Sequence, residues 1–69
     1  MDYSELITLI ERAKQLHRIT RDPMLPSAIA VLTKFMNAED PDNIVLVGQA
    51  VYARNCIEAM QEAREILYG

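Results

Sequence analysis

Between Asn43 and Ala53 the chain leaves almost no polar face, because Ile44, Val45, Leu46, Val47, Ala50, Val51 and Tyr52 crowd into one stretch. Asp40, Pro41 and Asp42 precede it. Aspartate caps helix starts and proline suits the first helical position, so the stretch is expected to be helical. Such a helix is apolar around nearly its whole circumference and has to be covered on every side. The 69-residue chain holds too little other material to do that alone, so a second copy or another protein is required. A competing reading is a short strand over Ile44, Val45, Leu46 and Val47 ended by Gly48, since β-branched residues favour strands. Helix is preferred, because no other segment reads as a strand to pair with it. Either geometry demands a second chain.

Size points the same way. A chain this short buries only about 60% of the surface it exposes when unfolded. Small domains usually add disulfides, a metal or oligomerisation. Cys56 is the only cysteine, which excludes an internal disulfide, and with His17 as the only histidine no closed zinc site can be assembled. Oligomerisation remains, and no cofactor is expected. A net charge of −3 argues against general binding to nucleic-acid phosphates. No window approaches the roughly 20 apolar residues that span a bilayer. Met1, Asp2, Tyr3, Ser4 and Glu5 lack the positive start of a signal peptide. Residence in the cytoplasm is the expectation, and an unpaired cysteine fits it.

Two Asp-Pro pairs, Asp22-Pro23 and Asp40-Pro41, punctuate the chain, and Asp2 or Ser4 offers a third helix start. Three helices are predicted. The first runs from Tyr3 to Thr20, with Leu6, Leu9, Ile10, Ala13, Leu16 and His17 on one side. The second starts near Pro23 or Pro26, with Pro26 or Ser27 preferred, and ends near Asn37, with Leu25, Ala28, Ile29, Leu32, Phe35 and Met36 inward. The third runs from Pro41 towards Tyr68; in its second half Ile57, Met60 and Leu67 form a strip with Cys56, Ala59, Ala63 and Ile66 beside it, and Arg54, Glu58, Gln61, Glu62 and Glu65 face away. The expected fold is all-α: one small three-helix domain over residues 1–69 with a long C-terminal helix, forming an intertwined or helix-packed homodimer. Its interface is assigned to Val45, Leu46, Val47, Gly48, Val51 and Tyr52. Gly48 costs roughly 1 kcal/mol inside a helix relative to alanine, which is consistent with close helix approach or with a tolerated kink. Tyr52 suits an interface, where tyrosines are enriched, or a core in which its hydroxyl finds a partner.

Few residues suggest chemistry. Arg12, Lys14, Arg18 and Arg21, with His17, concentrate basic charge, and Lys14, Arg18 and Arg21 share one stripe. Such a stripe grips phosphate or an acidic protein surface, or it is simply a solvated face paired with Glu11 and Asp22. Glu39, Asp40 and Asp42 suit a helix N-terminus and do not fit a calcium loop. His17 and Cys56 are the best nucleophile–base pair available, but they lie on different helices with no third group to orient them. Met24, Met36 and Met60 read as core filling before they read as a binding surface.

The function that follows is a non-enzymatic protein–protein interaction module, a homodimeric adaptor or inhibitor acting on another protein. In format (very short, acidic, helical and self-associating) the chain resembles phage-encoded proteins that disable a host factor, for instance by covering a transcription regulator. The likeness is one of format alone. The alternative is a nucleic-acid or anionic-ligand binder using Arg12, Lys14, Arg18 and Arg21. The second helix holds only Lys34 as a basic residue, too few donors for reading bases.

Overall fold

A computed structural model describes residues 2–68, leaving the Tyr68 side chain aside. Three helices follow one another: α1 (Tyr3–Thr20), α2 (Met24–Met36) and α3 (Ile44–Tyr68). No strand occurs among the described residues, so Ile44, Val45, Leu46 and Val47 open a helix. Tyr3 to Thr20 is the span the sequence predicted for the first helix.

Side chains of the loops set each start. Asp2 accepts the Ser4 N–H at 2.8 Å and opens α1. At the far end Arg21 adopts left-handed backbone, φ 56°, and its N–H donates to the His17 carbonyl at 2.8 Å. That closes α1 with the geometry usually given to glycine. Asp22 accepts the Met24 N–H at 2.9 Å, and Pro23 stands at φ −66° just ahead of α2. The second helix therefore begins at Met24, ahead of the Pro26 or Ser27 start that the sequence suggested. Pro26 falls within the first turn, where a missing N–H breaks no helical bond.

The third helix corrects its predicted start in the other direction. Asp40 and Pro41 form a turn, in which the Asp40 carboxylate accepts the Asp42 N–H at 3.2 Å and its carbonyl accepts that of Asn43 at 3.2 Å. Asn43 is the cap. Its Oδ1 accepts the N–H groups of Val45 at 2.9 Å and Leu46 at 3.3 Å, and its carbonyl takes that of Val47 at 2.9 Å. Satisfying these free donors is worth about 1 kcal/mol and favours the helix over the strand.

The core is asymmetric. Leu6, Leu9, Ile10, Ala13 and Leu16 enter it from α1, and Leu25, Ala28, Leu32 and Phe35 from α2. The longest helix, with 25 residues, supplies only Ala50, Ala53 and Ile57. His17, Ile29 and Met36, predicted inward, are half-buried. Tyr3 staples the entry of α1 by meeting Phe35 edge-on, with ring centroids 6.0 Å apart. Helix α2 packs against both others, and α1 and α3 touch less. The long axis of 39 Å is close to the length of α3 itself, about 37 Å at 1.5 Å per residue.

Candidate interaction surface

Two apolar seams run along α3. The inner seam, Leu46, Ala50, Ala53, Ile57 and Met60, has the three-and-four spacing of one helix face and meets the core. Val47 also packs there, half-buried, and Val51 is half-buried. The outer seam has the same spacing: Val45, Gly48, Tyr52, Ala59, Ala63 and Ile66, all exposed. At 100° per residue it sits about 120° around the helix from the inner one. Val45 is 64% exposed, Tyr52 69% and Ile66 76%.

The six residues assigned to an interface thus divide. Val45, Gly48 and Tyr52 lie on the uncovered seam, whereas Leu46, Val47 and Val51 are partly covered by the chain's own packing. Ala59, Ala63 and Ile66 continue that seam and were not assigned to it, although their spacing from Tyr52 was legible. Two further positions depart from the sequence reading. Leu67, placed inward, is 73% exposed, and Met24, read as core filling, is 50% exposed. Leu67 keeps the face of Met60, but it stands at the end of α3, beyond the residues of α3 that line a groove with α1.

Beside the outer seam, α2 and α3 enclose a groove of about 840 Å³. Met24, Val31 and Lys34 line it from α2, and Gly48, Tyr52 and Cys56 from α3. Its chemistry is that of a packing surface, apolar over most of its lining with one cation at the rim. A Cβ built on Gly48 would meet nothing within 4 Å, so no neighbour inside one copy requires a glycine there. Gly48→Ala is therefore expected to stabilise the dilute chain by up to about 1 kcal/mol. Urea unfolding at low protein concentration checks this, and a loss of stability would contradict it.

The basic residues do not converge. Lys14 pairs with Glu11 at 3.8 Å, both well exposed, which is worth little. Arg18 and Arg21 gather with His17 at the C-terminal end of α1. Cations there complement the negative end of the helix dipole, which in turn disfavours a bound anion. Arg12 turns to the opposite side, into a furrow between α1 and α3 that it shares with Glu5, Arg54 and Glu58. Arg54 Nε lies 4.0 Å from a Glu58 carboxylate oxygen, and that nitrogen is buried without a hydrogen-bond partner. With Asp2 also lining it, the furrow holds three acids against two arginines, which does not favour an anion. Asp22, offered by the sequence as a pairing acid, is occupied in capping α2.

His17 and Cys56 line separate surfaces, the tip of α1 and the α2–α3 groove, so they do not form a catalytic pair. Among the described residues no three His, Cys, Asp or Glu side chains gather as a metal site. No described helix is long and apolar enough to cross a membrane. The chain matches no family model, no curated protein and no solved structure.

Proposed function

We propose that this chain is a small non-enzymatic protein–protein interaction module that works as a homodimer, an adaptor or inhibitor of another protein. The observation that carries this reading is the uncovered outer seam of α3, where Val45, Tyr52 and Ile66 are each more than 60% exposed, with Leu67 as bare at the helix end. Burying one large apolar side chain is worth about 1.5–3 kcal/mol, so leaving four in water on one helix is a substantial cost for a small domain. The whole surface agrees. It measures 4944 Å², against about 4,400 Å² expected for a folded monomer of 7.9 kDa. Contiguous apolar patches of this kind mark protein contact sites.

Sedimentation across the micromolar range tests the reading. A species of twice the 7.9 kDa chain mass is expected. A single species of monomer mass throughout would overturn the homodimer. The anionic-ligand alternative gains no support from Arg12, Lys14, Arg18 and Arg21, because Arg12 lies across α1 from the other three and Lys14 pairs with Glu11.

A further inference from the structure

We infer that the occupant of the α2–α3 groove is the C-terminal half of α3 from a second copy, so that two α3 helices pair antiparallel about the midpoint between Asn55 and Cys56. This rests on the interaction reading above and adds its geometry. The lining of the groove runs on α3 from Gly48 to Cys56, and Pro23 and Met24 at the start of α2 belong to it. Beyond Cys56, α3 runs on towards Tyr68 with α1 along one side, exposing Ala59, Ala63, Ile66 and Leu67. One half of the helix therefore owns a groove and the other half owns a bare apolar ridge.

A two-fold axis at that midpoint matches them residue by residue. Val45 comes opposite Ile66 of the second copy, Gly48 opposite Ala63, and Tyr52 opposite Ala59. Along the middle of the seam Tyr52 meets the small Ala59, and Gly48 with Ala63 lets the backbones approach. A two-fold interface must be self-complementary in this way. The seam from Val45 to Ile66 is about 31 Å long at 1.5 Å per residue. Met24, Val45, Tyr52, Ile66 and Leu67 expose roughly 650 Å² per copy, so their full burial on both copies removes at most about 1,300 Å², the lower end of the roughly 1,200–2,000 Å² of specific interfaces. Charge agrees as well. The last turn of α3 carries no basic residue to answer its free carbonyls. Lys34 lines the groove beside Gly48 and Gln49, about one turn short of the end of the second α3 and opposite its Glu62, so a cation meets an acidic side chain there.

Disulfide trapping tests the register. In a Cys56→Ser background, Val45→Cys and Ile66→Cys chains are made separately, mixed and oxidised. Both positions are exposed in the single copy, so folding is not at stake. The mixed 45–66 disulfide is expected in at least about tenfold excess over either same-residue bond, because only it meets the 4.4–6.8 Å Cα spacing of a disulfide. Preferential 45–45 and 66–66 bonds would show parallel pairing and overturn the inference. A dimer by light scattering that yields no 45–66 bond also overturns it and leaves the interaction reading standing. A monomer by light scattering removes the homodimer reading itself.

Discussion

Truncating Leu32 to alanine is expected to unfold much of the population at room temperature. Leu32 is fully enclosed in the middle of α2, the helix that packs against both others. Leucine-to-alanine changes at such sites cost about 2–5 kcal/mol, from lost transfer energy and the cavity left behind. A chain of this length has about 3–10 kcal/mol of stability to lose. At about 4–8 °C per kcal/mol the melting temperature should fall by roughly 10–30 °C. Circular dichroism at 222 nm during heating reads this directly. Ile7→Ala is the control, because Ile7 is 51% exposed and its loss should fall within about 0.5 kcal/mol. A drop as small for Leu32→Ala as for Ile7→Ala would mean that α2 is not the centre of the core.

The architecture was largely readable from the residues, and the points it missed concern where helices start and which way side chains face. Period-3.6 patterning identified α1 with its ends, because an isolated amphipathic helix capped by Asp2 has no competitor for its N–H groups. Starts near proline were harder to place. At α2 a carboxylate just before Pro23 captures the Met24 N–H, so the first Asp-Pro pair is a true start. At α3 the same pair is followed by Asp42 and Asn43, and Asn43 satisfies three helical donors that Asp40 cannot reach from its turn. Composition alone does not distinguish those cases; the second side chain able to cap does. The basic residues show a related limit. Their crowding in sequence says nothing of direction, and Arg12 lies across the helix from Lys14, Arg18 and Arg21. The greasy front of α3 was visible in the sequence. Its resolution into an inner seam and an equally regular outer seam required knowing that Ala50, Ala53 and Ile57 face inward.

Two seams on one helix make stability depend on how much protein is present, and this is the second large effect. If the outer seam is buried against another copy, unfolding also separates the copies. A hundredfold rise in concentration then adds about 2.7 kcal/mol per dimer. Spread over the unfolding entropy of two chains, that raises the melting temperature by on the order of 10 °C. A monomer shows no such rise. Tyr52→Asp supplies the decisive contrast. In one copy the Tyr52 side chain is 69% exposed, so an aspartate there meets water and leaves the fold intact. In a dimer the same carboxylate faces an apolar ridge without a partner, a burial that costs several kcal/mol. The variant is expected to keep its helical spectrum, melt at one temperature across the whole concentration range, and sediment as a single chain. If wild type and Tyr52→Asp shifted equally with concentration, the contact would lie elsewhere on the surface, and the outer face of α3 would lose its assigned role.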